Sequence, residues 1–370
     1  MRISNILQLG VKELRGLARD PVLVILIIYA FTLSVYAQAT AVPDVLSNAP
    51  IGIVDEDQSP LSGRISSAFY PPYFTLPVMI SPTQMDRRMD AGIDTFALDI
   101  PPNFQRDLLA GRSPTIQLNV DATRMTQAFS GSGYVQNIVF GQIIEFARRY
   151  RSAHPPPVDI NLRLRFNPNL THVWFGAVTA IIDGITMLSV ILTGAALIRE
   201  REHGTIEHLL VMPVTAVEIM LSKIWSMGVV VLAVSSLSLL FVVQGILAVP
   251  IEGSPWLFMA GTALDLFATT AMGIALATVA GSMPQFALLV ILSLVPLQVL
   301  SGAVTPRESM PEIIQIIMLA APNTHFVTLA QSVLFRGAGV SVVWPQLLAL
   351  TAIGSILFMF ALKRFRGFLQ

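Results

Sequence analysis

Six long apolar runs constrain this sequence more than anything else in it: residues 22–42, 173–198, 224–249, 256–280, 286–304 and 342–362. Each has about the 20 residues that a helix rising ~1.5 Å per residue needs to cross ~30 Å of hydrocarbon. Inside lipid the backbone has to satisfy its own hydrogen bonds, so each run is expected as a helix. Composition agrees, with 54% hydrophobic and 12% charged residues, against ~25% charged in an ordinary soluble domain. The fold class expected is an α-helical polytopic membrane protein with six transmembrane helices.

Short loops give the orientation through their lysines and arginines. Arg2, Lys12, Arg15 and Arg19 precede the first run, Arg199, Arg201 and Lys223 follow the second, and Lys363, Arg364 and Arg366 close the chain. The short loops of the opposite side hold only Arg307 and Arg336. Ten against two places both termini and the 199–223 loop in the cytoplasm. The stretch "VYAQATAVP" (35–43) offers A-x-A sites like those of a signal peptide. A 20-residue arm precedes its long apolar core, so an uncleaved first span (21–42) is expected. Residues 1–20 read as a surface helix with Ile3, Ile6, Leu7, Leu14 and Leu17 on one stripe and Lys12, Arg15 and Arg19 off it.

Residues 43–171 are a different material. They hold 11 of the 20 arginines and 12 of the 23 acids, and they follow one span, on the outer side. Short apolar strands at 51–54, 74–80, 95–100 and 115–120 alternate with helices beginning near Ser59, Pro82 and Pro102. A longer helix over 124–151 follows, and 158–166 leads back to the membrane. The pattern predicts a periplasmic α/β domain inserted between the first and second spans, large enough for its own core. "DED" (55–57) reads as a strand-to-helix turn capped by Ser59, not as a metal site. "HPPP" (154–157) reads as a stiff linker.

The remaining boundaries follow from the runs: 172–198, 224–249, 256–280, 286–304 and 342–362 as spans, and 363–370 as a cytoplasmic tail. Between the fifth and sixth spans, 305–341 carries two helices too short to cross, at 310–322 and 323–337. They are expected as interfacial or re-entrant elements.

The most unusual connector is "REREHGTIEHLLVMP" (199–213), a charged stretch between two apolar runs. The second span is expected to run through Arg201 or Glu202 and break at Gly204. Thr205 can cap a short new helix with Glu207 in its first turn, where the helix dipole favours an anion. Ile206, Leu209 and Leu210 then share one face, and Pro213 ends the segment. "TAVE" (215–218) is a capping box that starts the next helix. The result is a short amphipathic helix laid across the ends of two spans, suited to docking on a partner or to lying in the headgroup layer.

"EREHGTIEHLLVMPVTAVEIMLSKIW" (200–225) resembles the matching stretch of ABC-2 type permeases, the membrane subunits of a class of ATP-binding-cassette exporters. "LSGAVTPRESMPEIIQIIMLAAPNTHF" (300–326) is similar to that family's outer-leaflet segment. The order of surface helix, one span, large outer domain and five further spans is similar too. The resemblance implies that the loop after the second span seats in a groove of a cytoplasmic ATPase and transmits its closure. Carried over by motif, Glu200, Glu202, Gly204, Thr205, Glu207, Leu209 and Pro213 are the coupling residues, and Leu210 joins them on the apolar face. His203 and His208 lie in the motif and are assigned no chemistry.

This chain has no G-x-x-x-x-G-K-[ST] loop to cradle phosphates. No cofactor is expected on it, then, with ATP and Mg2+ on the partner ATPase. Six spans are few for a substrate path, which points to a second permease copy, identical or related. The outer domain offers a surface for a periplasmic adaptor or for cargo. Zero net charge and no basic cluster give no sign of nucleic acid, and the lipid bilayer is the other partner. The implied location is the bacterial inner membrane.

Asp183 and Asp265 fall inside predicted spans, where a charge costs at least ~2.5 kcal/mol on insertion scales. They are candidates for a translocation pathway, or for helix contacts satisfied by Thr179 or Thr262. Other classes stay in view. A proton-coupled secondary transporter using these aspartates needs repeat symmetry that the outer insertion makes awkward. A membrane-bound enzyme needs a nucleophile or metal grouping, and with no cysteine, no H-E-x-x-H and no Ser/His/Asp grouping the outer stretch shows neither a catalytic nor a metal site. A membrane scaffold for an ATPase complex needs only the docking helix.

Overall fold

The computed structural model describes residues 2–41, 46, 48–121, 125–150, 171–202, 204, 214–303 and 307–368. The chain divides into two compact units, Met1–Ala41 with Phe166–Gln370, and Val42–Arg165.

Among the described residues the regular elements of the first unit are all helices. α1 (Ile3–Ala18) is amphipathic. α2 (Pro21–Phe31) starts with Asp20 accepting from the Leu23 N–H, and α3 (Leu33–Thr40) follows a break at Thr32. The break is local, because the Thr32 hydroxyl still donates to the Ile28 carbonyl at 2.5 Å. The run expected as one continuous span is therefore two helical segments. α8 (His172–Glu202) is the central helix, buried on most of its sides from Ala177 to Ile198. α9 (Ala216–Ser238) begins at the expected box, with the Thr215 side chain accepting from Glu218 N–H, and continues as a π-helix over Leu239–Ile246. It therefore starts eight residues before the apolar run at 224 that marked the third span. α10 (Pro255–Val279), α11 (Met283–Val299), α12 (Glu312–Met318), α13 (Pro322–Leu334) and α14 (Val340–Phe368) complete the unit.

Among the described residues, five stretches are long and apolar enough to cross a membrane: Pro21–Thr40, His172–Glu202, Ala216–Ile246, Pro255–Val279 and Val340–Gly367. The run at 286–304 departs from expectation. Its helix, α11, has 17 residues and reaches only about 25 Å. Pro296 removes one backbone donor near its end, and Gly302 at φ 96° turns the chain away. α12 and α13 meet at 88°, which fits a broken or re-entrant pair and not two straight spans.

The second unit holds a four-stranded sheet in the order β2-β1-β3-β4. β1 (Ile51–Asp55) is parallel to both β2 (Val78–Met79) and β3 (Phe96–Ile100), and β4 (Gln117–Val120) is antiparallel to β3. α4 (Pro60–Ser67), α5 (Pro82–Asp90), α6 (Phe104–Leu109) and α7 (Met125–Tyr150) accompany it. The strand read at 74–80 shrinks to two residues because Pro77 has no N–H for a ladder. At 55–59 the Asp55 carboxylate accepts from the Asp57 and Gln58 N–H groups and from the Ser62 hydroxyl. Ser59 caps α4 there. The linker 154–157 and the returning segment 158–166 lie outside the described residues.

Candidate functional site

The last turn of α8 is tied to several elements of the membrane unit at once. Its four consecutive residues, Arg199 to Glu202, each reach a different neighbour. Successive residues of a helix are ~100° apart, so four of them fan out over most of its circumference. Arg199 Nη1 donates to Asp20 Oδ2 at 2.6 Å, holding the start of α2. Glu200 accepts from Lys12 Nζ of α1 at 2.9 Å and pairs with Lys223 Nζ of α9 at 2.7 Å. Arg201 Nη1 donates to the Ala280 carbonyl at 2.9 Å. Glu202 accepts from the Met283 N–H at 3.0 Å, so both hold the turn between α10 and α11.

Around Glu200 these bonds form a buried ionic cluster. Lys223 is 1% exposed and Glu200 9%, and Lys223 also donates to Glu13 of α1 at 3.0 Å. Burial pushes the Glu13 carboxyl above the usual carboxylate range, against the pull of Lys223 and with the Glu200 charge adding to the rise. For Lys12 burial works against the charged form. The Glu200 hydrogen bond and charge outweigh it, helped by Glu13, and the Lys12 ammonium is held above its ordinary value. One lysine inside the protein between two carboxylates from different helices is stable only as a set. Removing one member of such a group costs about 3–5 kcal/mol.

A second set of contacts seats α1 on α9. The Trp225 Nε1–H donates to the Ile6 carbonyl at 3.1 Å, and the Arg2 N–H donates to Glu218 Oε1 at 2.5 Å. Gly10 lies against the Trp225 indole so closely that a Cβ would collide with the ring. The absent side chain is what lets the two helices meet.

Of the residues the sequence singled out, Glu200 and Glu202 are thus anchors of α8. Gly204, at φ 68°, takes the left-handed conformation that ends the helix, its N–H donating to Arg201 O. Thr205, Glu207, Leu209, Leu210 and Pro213 lie outside the described residues, as do His203 and His208. Sequence reading missed Glu13 and Lys223 as partners of Glu200. The signal was present: Glu13 stands between Gly10 and Leu17 on the packed side of α1, an acid on a face that otherwise excludes water.

Asp183 and Asp265 occupy the interior of the same unit. Asp265 of α10 is fully buried, and neither of its carboxylate oxygens has a hydrogen-bond partner among the described residues; Oδ1 of Asp183 has none either. Thr262 does not serve Asp265, since its hydroxyl donates to the Phe258 carbonyl. Hydroxyls and amides bridge the helices nearby. Thr186 of α8 donates to Asn323 of α13 at 2.8 Å, and Ser189 of α8 donates to Thr269 of α10 at 2.7 Å. No hydrogen bond or ion pair joins the two carboxylates among the described residues.

Comparison with known proteins agrees with this architecture. Residues 21–363 match the family of ABC-2 family transporter proteins. The chain is 61% identical to the inner membrane transport permease YhhJ of Escherichia coli (strain K12), over 98% of this chain and 97% of that one. It is 28% identical to the same organism's YbhR, described as a probable multidrug ABC transporter permease, over 92% of this chain and 93% of that one. YbhS, described likewise, is 27% identical over 89% and 88%. With its apolar crossing helices, and with an inner-membrane permease as a relative over nearly its whole length, the chain belongs to the ABC-2 transporter family, as a multi-pass inner-membrane permease.

Proposed function

We propose that this permease is the membrane half of an ATP-driven exporter, coupled to a separate cytoplasmic ATPase through residues 199–213. In this reading Thr205, Glu207, Leu209, Leu210 and Pro213 form the docking helix, and Gly204 is the joint that sets it off from α8. Glu200 and Glu202 carry the load into the bundle. The observation that carries the reading is the fan of bonds from Arg199 to Glu202. A force applied at residue 203 reaches α1, α2, α9 and the α10–α11 turn together, which is what a power-transmitting joint requires. The nucleotide and Mg2+ belong to the ATPase, two permease copies enclose the path, both termini face the cytoplasm, and the 43–171 unit stands on the outer side, open to an adaptor.

The test is a pull-down of the tagged permease from host membranes in mild detergent, beside a Glu207→Arg, Leu210→Asp double variant shown to insert. An ATPase subunit that co-purifies with the natural protein and is lost from the variant supports the reading. No ATPase with either protein overturns it.

The unpartnered carboxylate oxygens, both of Asp265 and Oδ1 of Asp183, favour one addition, that these residues line the route of the cargo. Their use as a proton relay in an ATPase-independent transporter is the alternative. Transport that persists without the ATPase and is lost on neutralising both residues would select it.

A further inference from the structure

The α/β unit contains a cavity of about 670 Å3 that its described elements leave open. The cause is the length of α6, which has six residues before Gly111, at φ 81°, turns the chain. Residues 112–116 then run without regular structure into β4. So short a helix cannot cover the β3–β4 pair. The cavity floor is Leu98 and Leu118, directly opposite each other on those two strands. Phe104 and Leu108, one turn apart on α6, make one wall, and Val139 and Ile143, one turn apart on α7, make the other. Phe104, Leu98 and Val139 are also members of the unit's hydrophobic core. Among the described residues the cavity is therefore a part of the core left unclosed.

Its volume falls in the range of small-molecule sites, roughly 300–1,000 Å3. Among the described residues the lining has a single charged side chain, Arg112, with Ser113, Thr115 and Gln136 as uncharged polar groups. Arg112 Nη1 pairs with Asp107 at 3.1 Å, yet its side chain stays 66% exposed. An ion pair so exposed binds weakly, and a guanidinium has five donors to offer.

We propose that this cavity binds an amphiphile with one apolar chain or ring system and an anionic head. The apolar body lies on Leu98, Leu118, Val139 and Ile143, and the head meets Arg112. The lone cation among apolar walls selects the charge, and the volume selects one chain over the two of a phospholipid. The assignment does not depend on how an ATPase engages the chain.

The full-length protein in phosphatidylcholine nanodiscs is irradiated with diazirine-bearing dodecanoate, with the matching dodecanol, or with a diazirine phosphatidylcholine, and labelled peptides are mapped by mass spectrometry. Dodecanoate is expected to label peptides covering 98–118 and 135–143 roughly threefold more than dodecanol, the size of an exposed ion pair. Arg112→Gln, at an exposed position, brings the acid down to the level of the alcohol. Val139→Trp, which fills the cavity, removes both. Dodecanoate label confined to the membrane helices overturns the proposal, as does equal labelling by acid and alcohol or an unchanged Arg112→Gln. Phospholipid labelling as strong as that of the acid also overturns it, because it marks contact with the bilayer instead of a site.

Discussion

A lysine ammonium taken out of water costs several kcal/mol unless charged partners and hydrogen bonds replace the lost hydration. Lys223 is such a group, with Glu13 and Glu200 as its replacement. Lys223→Met leaves two carboxylates facing each other, and we expect a loss of about 3–5 kcal/mol in thermal unfolding of the detergent-solubilised protein. Adding Glu13→Gln and Glu200→Gln to Lys223→Met should restore most of it. A triple variant as unstable as the single one would show that packing around residue 223, not charge, sets the loss. The sequence made Lys223 look like one more cation of a cytoplasmic loop. A count of loop charges records side and not depth, and only the start of α9 at Ala216 reveals that Lys223 is a helix residue pointing inward. By contrast the Thr215–Glu218 box and the Ser59 cap were readable, because both are local and need no tertiary partner.

α1 shows what an apolar stripe can and cannot say about an element. The stripe drawn through Ile3, Ile6, Leu7, Leu14 and Leu17 is one face in the sequence and two in the structure. Gly10 and Leu17 are buried, whereas Ile3, Leu7 and Val11, spaced four apart, stay exposed. With the charged side, α1 thus has three sectors, and the exposed apolar one is suited to lipid. The packed sector turns on Gly10. Gly10→Leu should drive α1 off Trp225 at an overpacking cost of about 1–3 kcal/mol. The chain has no cysteine, so a single Leu17→Cys makes a clean reporter. Its maleimide labelling should quicken at least about tenfold when Gly10→Leu is added. Equal rates would mean that the glycine is not what seats the helix. A lone glycine in a helical stripe gives no hint from sequence of the ring that fills its place.

Across the membrane unit, glycines again mark where helices come closest. A Cβ on Gly273 of α10 would stand 2.6 Å from the Val190 carbonyl of α8, and one on Gly194 of α8 would stand 3.0 Å from the Gly273 carbonyl. Ser189–Thr269 lies at one end of this contact and Gly194–Gly273 at the other, so the two helices run side by side in the same direction. Asp183 and Asp265 precede the contact on each helix. We expect Asp183→Asn and Asp265→Asn to abolish export in a whole-cell efflux assay while the protein still inserts and assembles. Full transport in both would assign the carboxylates to packing. Hydropathy made the crossing helices legible because ~20 apolar residues are a long and specific signal. It overstated the run at 286–304, since apolar content does not report where a proline and a left-handed glycine stop a helix. The ionic fan at 199–202 was legible only as charge, because its partners Lys12, Asp20, Ala280 and Met283 are 79 to 188 residues away in sequence, and the nearer one, Lys223, reads as a loop cation.

α8 contains 31 residues and no proline, which makes it a rod of about 46 Å against a hydrocarbon layer of ~30 Å. Its ionic grip is at one tip, while hydroxyl bonds and close glycines tie it to α10 and α13 further along, so those helices move with it. A tilt of about 10° about that grip swings the far tip through about 8 Å, and the depth of Asp183 through about 5 Å. A small rotation at the gripped end thus becomes, further along the same rod, a displacement as wide as a small molecule, with no change of shape in the rod itself.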